Sequence, residues 1–144
     1  LKEQVVVGKR ILFVDDDTHI LETIGELLES VGFDVIKSFD AESALEILKG
    51  VKVEAVLTDF IMPGMSGISF AQTIAESQPG IPIVIYTGAD IGDFQSSLSN
   101  VHSVLKKPVP PPVLIQTLHR AISEAKASSF KYILEASKPN SGKS

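Results

Sequence analysis

Val56-Leu57-Thr58-Asp59-Phe60-Ile61-Met62-Pro63-Gly64-Met65-Ser66-Gly67 is the stretch that decides the fold. An apolar run from Ala55 to Leu57 meets a carboxylate and then breaks into a loop carrying Pro63, Gly64 and Gly67. The run is too short for a helix and is bounded by turn formers, so it reads as a buried strand. Asp59 therefore stands at a strand's C-terminal end, the edge where open α/β sheets bind ligands and do chemistry.

Upstream, Ile11-Leu12-Phe13-Val14 is a second short apolar run, ending in Asp15-Asp16-Asp17. Ile20, Ile24, Leu27, Leu28 and Val31 then mark one face of an amphipathic helix. Asp17 suits its N-cap better than a ligand position, and Gly32 suits its C-terminal stop. Val35-Ile36 is a weaker strand. Asp40 caps a helix through Ala41, Ala44, Leu45 and Leu48 that ends at Gly50.

Downstream, a helix is predicted from Ile68 to Gln78 with Ile68, Ala71, Ile74 and Ala75 facing in. Pro79-Gly80 turns the chain into a strong strand, Ile81 to Thr87. Ile91, Phe94 and Leu98 mark a short helix, and Val101 to Leu105 a fifth strand ending at Lys106-Lys107-Pro108. Pro110 to Pro112 open a last helix, whose first turn tolerates missing N–H groups. Leu114, Leu118, Ile122 and Ala125 give that helix its stripe. Phe130, Ile133 and Leu134 extend it, either to cap the core or to meet a partner. Five strands alternating with five helices imply a parallel sheet covered on both faces.

At 144 residues the chain is one domain with a sizeable core, expected over residues 8–127, followed by a helical extension and flexible polar tail over 128–144. A net charge of −5 gives no footprint for nucleic acid. With no cysteine, disulfides, thiolate metal sites and thiol catalysis are excluded. No apolar stretch reaches the roughly 18 residues of a membrane span, and the start lacks a signal-peptide core. Leu1 in place of an initiator Met reads as the start of an excised piece.

Parallel strands deliver their C-terminal ends to one edge. Strand one brings Asp15 and Asp16 there, strand three Asp59, strand four Thr87 and strand five Lys107. Two like charges ~5 Å apart repel by roughly 3 kcal/mol at an effective dielectric of 20. Three acids therefore need a cation, and an all-oxygen donor set favours Mg²⁺. A carboxylate beside Mg²⁺ and a lysine can act as a nucleophile toward phosphorus.

Together, Val14-Asp15-Asp16-Asp17, Asp59 with Met62-Pro63-Gly64-Met65-Ser66-Gly67, Thr87, and Lys107-Pro108 resemble the receiver domain of two-component response regulators, in chemotaxis-regulator style. The resemblance spans roughly Arg10 to Ala125. It implies a doubly wound (βα)₅ flavodoxin-like sandwich with strand order 2-1-3-4-5. It also implies that Asp59 accepts a phosphoryl group from the phosphohistidine of a histidine kinase or histidine phosphotransfer protein. By the same resemblance Asp16, Asp59 and the backbone carbonyl of Ile61 are direct Mg²⁺ ligands, and Asp15 is a ligand through water. Lys107 pairs with the phosphoryl oxygens, its bond to Pro108 is cis, and Thr87 swings to sense the product. Such a domain is a cytoplasmic signalling switch, not a metabolic enzyme. The resemblance leaves room for an output domain or partner protein and for a weak homodimer.

The chain departs from the family in three places. Val104 stands where an aromatic switch residue usually lies, with Tyr86 the aromatic nearest at hand to take its part. The segment from Thr87 to Lys107 is about two residues shorter than in the chemotaxis regulator, and the last helix begins unusually on three prolines. Ile61 and Ala89, each two residues beyond a site residue, are expected to shield the phosphoryl group from water. His19, His102, His119 and Lys106 read as surface residues.

Two rival functions are a Mg²⁺-dependent aspartyl-phosphate phosphatase, marked by multiple turnover, and a flavodoxin-like FMN carrier, which a colourless protein excludes. Ser141-Gly142-Lys143-Ser144 is no phosphate-binding loop, because Ser137 replaces its first glycine and no strand precedes it. Asp15-Asp16-Asp17-Thr18 misses the D-x-D-x-T phosphatase motif, because residue 19 is His.

Overall fold

The computed structural model describes residues 8–90 and 100–137, with side chains as far as residue 128. The described strands are β1 (Arg10–Val14), β2 (Asp34–Ser38), β3 (Ala55–Thr58), β4 (Ile83–Thr87) and β5 (Val101–Lys106). The described helices are α1 (Thr18–Ser30), α2 (Ala41–Gly50), α3 (Gly67–Ser77) and α4 (Pro111–Ser137). All strand pairs are parallel, in the order β2-β1-β3-β4-β5, as expected. The helix expected around Ile91, Phe94 and Leu98 lies outside the described residues, as do residues 138–144 of the tail expected from Ser137 to Ser144, whereas Ser137 is the last residue of α4.

The period-two alternation of the strands splits the core into two layers. Ile11, Phe13, Ala55, Leu57, Val84 and Tyr86 face α1 and α4, packing with Leu21, Leu28, Leu114, Leu118 and Ile122. Leu12, Val14, Val56, Ile83 and Ile85 face α2 and α3, packing with Ala44, Leu48, Phe70 and Ile74. A sheet buried on both sides requires strands that are apolar on both sides, and β1, β3 and β4 are so.

Helix α2 buries Ala41, Ala44 and Leu48 and α4 buries Leu114, Leu118 and Ile122, as predicted, whereas α1 and α3 differ from their predicted faces. In α1 the deepest residues are Leu21, Gly25 and Leu28, whereas Ile20, Ile24, Leu27 and Val31 are half-buried flanks. Gly25 explains the offset: a Cβ there would lie 2.6 Å from Lys37 Cε, so the helix rests on β2 along a position with no hydropathy signal. In α3 the inward residues are Gly67, Phe70, Ala71 and Ile74, while Ile68 is exposed and Ala75 half-buried. The helix begins one residue earlier than predicted because Ser66 caps it, accepting from the Ser69 N–H at 3.1 Å. The fourth strand begins at Ile83, not Ile81, since Pro82 has no N–H for the ladder. Gly50 is the last residue of α2 and Val51 its cap. His119 is not a surface residue; its ring packs edge-on against Phe33 with centroids 6.3 Å apart, and its Nε2 is buried. His102 is also partly buried, between Ser103 and Glu124.

The prolines open α4 as predicted, with Val113 and Leu114 N–H groups donating to the Pro110 carbonyl. The helix runs 27 residues, about 40 Å at 1.5 Å per residue, and passes residue 127 unbroken. Among the described residues no helix is long and apolar enough to cross a membrane.

Candidate functional site

The parallel ladder continues past the strand ends and fixes the site backbone. Asp15 N–H donates to Ser38 O at 3.1 Å, Asp59 N–H to Val14 O at 3.1 Å, and Lys107 N–H to Thr87 O at 2.9 Å. The peptide bond from Lys107 to Pro108 is cis. Asp15, Asp59 and the segment around Lys107 therefore sit side by side on one edge.

The Asp59 carboxylate is held at both oxygens. Oδ1 accepts from the N–H groups of Phe60 and Ile61 at 2.6 and 3.3 Å, and Oδ2 from Lys107 Nζ at 3.1 Å. The Thr58 hydroxyl donates to the Asp59 carbonyl at 2.8 Å, steadying the turn out of β3. Gly67 closes that turn by donating its N–H to Phe60 O at 3.1 Å. A Cβ at Gly67 would meet that same oxygen at 2.7 Å, so the loop demands glycine. Gly64, at φ +83°, supplies the left-handed residue that lets the loop fold back.

Asp15 is buried, with Oδ1 accepting from the Asp17 N–H at 2.9 Å. Its Oδ2 accepts from the Tyr86 phenol at 3.2 Å and lies 3.5 Å from Lys107 Nζ. Burial pushes the Asp15 carboxyl above its ordinary value, an effect that the Asp17 N–H and Lys107 only partly oppose. For Lys107 burial pulls the amine down, but the hydrogen bond to Asp59 and the charges of Asp15 and Asp59 together hold it above its ordinary value. Burial, reinforced by Asp15, raises the Tyr86 phenol far out of the neutral range, so it serves only as a neutral donor. The Lys107 ammonium also stands 4.5 Å from the centre of the Tyr86 ring, in cation–π contact.

Carboxylate oxygens of Asp15, Asp16 and Asp59 all lie within 4.8 Å of one another, with Asp16 exposed. Asp17 caps α1, accepting from the N–H groups of His19 and Ile20 at 3.0 and 3.3 Å. Thr87 is buried at the end of β4, its Oγ1 accepting from the Ala89 N–H at 3.2 Å. Ile61 enters through its N–H, while its side chain is 60% exposed.

Sequence reasoning missed the contact of Tyr86 with Asp15. Tyr86 is buried on the α1/α4 side while Val104 packs against the α2/α3 side, so the two side chains lie on opposite faces of the sheet. The place of Tyr86 was accessible from register. Val14 pairs Thr58 and Thr58 pairs Ile85, so one step further aligns Asp15, Asp59 and Tyr86.

The family model described as the response regulator receiver domain matches residues 11–119. The chain belongs to the response regulator receiver domain family. It is 32% identical over 117 residues to the transcriptional regulatory protein GlrR of Escherichia coli, covering 80% of this chain and 26% of GlrR. It is 30% identical over 117 residues to the phosphate regulon transcriptional regulatory protein PhoB of Pseudomonas aeruginosa, covering 78% of this chain and 51% of PhoB. This receiver domain thus spans about a quarter to a half of the length of these curated relatives. A CheY-like receiver domain protein from Methanospirillum hungatei superposes with a TM-score of 0.78 at 27% identity, over 83% of this chain and 98% of that one. The chain is accordingly a receiver domain of two-component signalling.

Proposed function

We propose that this receiver domain is a phosphorylatable switch in which Asp59 takes a phosphoryl group from the phosphohistidine of a histidine kinase or histidine phosphotransfer protein. The observation carrying this reading is the contact of Lys107 Nζ with Asp59 Oδ2 at 3.1 Å, inside a cluster of three carboxylates. A carboxylate oxygen of Asp59 forms the bond to phosphorus as the phosphorus–nitrogen bond of the donor breaks, and that electron pair returns to the imidazole. Lys107 then pairs with a phosphoryl oxygen, and the Thr87 hydroxyl turns from the Ala89 N–H to donate to the new group. The reaction consumes the domain's own carboxylate, which suits a signalling switch with slow self-dephosphorylation and not a metabolic enzyme, and membership of the response regulator family supports a cytoplasmic place for it.

The donor set fits a hard divalent cation such as Mg²⁺, because Asp15, Asp16 and Asp59 offer only oxygen. Asp16, Asp59 and the Ile61 carbonyl would hold the ion directly and Asp15 through a water. When bound, the ion supplies neutralisation of the charge on the phosphoryl oxygens. We assign the receiver unit to residues 8–127 and an extension to 128–144. Phosphorylation then biases a two-state surface on the β4–β5 side toward an output domain or partner.

The test is incubation with acetyl phosphate and Mg²⁺, read by intact mass. A single phosphoryl adduct in wild type that is lost in Asp59→Asn supports the reading. No adduct in wild type overturns it.

A further inference from the structure

We propose that Tyr86 is a positioning residue of this site: its phenol fixes the Asp15 carboxylate and its ring carries the Lys107 ammonium. One side chain thereby sets both the cation affinity of the acidic cluster and the aim of the lysine. The inference rests on the reading of Asp15, Asp16 and Asp59 as a cation site.

Tyr86 is only 3% exposed, and its ring lies against Phe13 with centroids 6.0 Å apart. Phenylalanine would fill that space as well. A buried hydroxyl without a partner is costly, so tyrosine belongs here only if the phenol has something to bind. Its partner is Asp15 Oδ2 at 3.2 Å, one register step from Asp59. With Oδ1 on the Asp17 N–H and Oδ2 on Tyr86, the Asp15 carboxylate is fixed at both oxygens and cannot rotate away from the cluster. The Lys107 ammonium stands 4.5 Å from the centre of the Tyr86 ring and 3.1 Å from Asp59 Oδ2, so ring and carboxylate hold the same nitrogen from two sides. Partners that orient metal-ligating groups typically govern affinity by about 10–100-fold; Asp15 would hold the ion through a water, so Tyr86 acts one step further out and the low end of that range applies.

The two roles separate by substitution. Tyr86→Phe keeps the ring and loses the phenol, whereas Tyr86→Leu loses both. MgCl₂ alone is titrated into each unphosphorylated protein and followed by amide shifts in the ¹H–¹⁵N spectrum. Tyr86→Phe should weaken the Mg²⁺ dissociation constant about tenfold, the low end for such a partner. Tyr86→Leu should in addition slow phosphorylation by acetyl phosphate at saturating Mg²⁺. Ile122→Ala, which opens the same core layer away from the site, should leave Mg²⁺ affinity within about twofold, as expected of a purely structural change. If wild type binds Mg²⁺ and forms the adduct while Tyr86→Phe binds within twofold of it, this inference alone is overturned. A wild type that shows neither binding nor adduct overturns the functional reading and this inference with it. Should Tyr86→Leu fail to fold, the Tyr86→Phe comparison decides.

Discussion

Lys107 Nζ stands 3.1 Å from Asp59 Oδ2 and so joins the end of β3 to the end of β5 across β4. A hydrogen bond between charged groups contributes about 1.5–3 kcal/mol, reduced here because the ammonium is partly open to water. Lys107→Met should therefore destabilise the metal-free protein by about 1–2 kcal/mol at neutral pH in urea unfolding. The amine lies above its ordinary value of 10.5 in the folded state. Its contribution is full below 10.5 and fades as pH rises through the raised value. The gap between wild type and Lys107→Met should close in that alkaline window and stay constant below it.

Asp15 behaves with the opposite sense at neutral pH. Its carboxyl is raised above the ordinary 3.8, chiefly by burial and further by the charge of Asp59. A raised acid favours the fold fully below its unfolded value and loses that advantage as pH climbs through the folded value. Once ionised, the buried Asp15 thus costs stability that the protein retains for its site. Asp15→Asn should raise the stability of the metal-free protein by on the order of 1 kcal/mol at neutral pH, with the gain shrinking as pH falls toward 3.8. Mg²⁺ should reverse the order. An ion at 100 times its dissociation constant adds about 2.7 kcal/mol, and wild type should gain more of this than Asp15→Asn. Thermal melts with and without MgCl₂ check both statements.

The sequence made the strand ends legible because β1, β3, β4 and β5 each carry a site residue at or just past the C-terminus, where the run leads into Asp15, Asp59, Thr87 or Lys107. Both caps, Asp17 and Asp40, were legible for a similar local reason: each is a carboxylate just before an apolar period, and each accepts N–H groups of its helix. The helix faces were less legible. Gly25 and Gly67 are contact residues without hydropathy, so the true seams of α1 and α3 run beside the stripes that Ile20, Ile24 and Ile68 mark. Tyr86 needed register between strands, which is a tertiary fact that no local pattern contains.

Gly67→Ala tests whether the loop after Asp59 is fixed by close packing. The new methyl would meet Phe60 O at 2.7 Å and Phe60 Cα at 2.9 Å, both backbone atoms that cannot give way cheaply. A loss of about 1–3 kcal/mol is expected, with slower phosphorylation of Asp59 because the loop that donates two N–H groups to it must shift. Gly80→Ala is the comparison, since a Cβ there meets nothing within 4 Å. It should be neutral or stabilising by up to about 1 kcal/mol and leave phosphorylation unchanged.

Asp17→Ala separates helix capping from cation binding within the run of three acids. Asp17 Oδ1 accepts from His19 and Ile20 N–H groups, so its loss should cost about 1 kcal/mol in unfolding experiments. Asp17 lies outside the cluster of carboxylates within 4.8 Å, and its backbone N–H, which holds Asp15, survives the substitution. Mg²⁺ affinity should therefore stay near that of wild type, whereas Asp16→Asn should weaken it at little cost in stability.

Ile61 presents a large apolar side chain to solvent, 60% exposed, from a backbone whose N–H holds Asp59. Ala89 stands in the matching position two residues after Thr87, its N–H on the Thr87 hydroxyl. Exposing an isoleucine beside a polar cluster has no benefit for folding, but its bulk is expected to hinder water from lining up behind a phosphoryl group on Asp59. Ile61→Asn replaces that bulk with an amide that can orient an attacking water. The adduct should then decay several-fold faster, measured by intact mass after acetyl phosphate is removed, while Ile61→Val keeps the wild-type lifetime. An unchanged decay in Ile61→Asn would show that this side chain does not act as a shield.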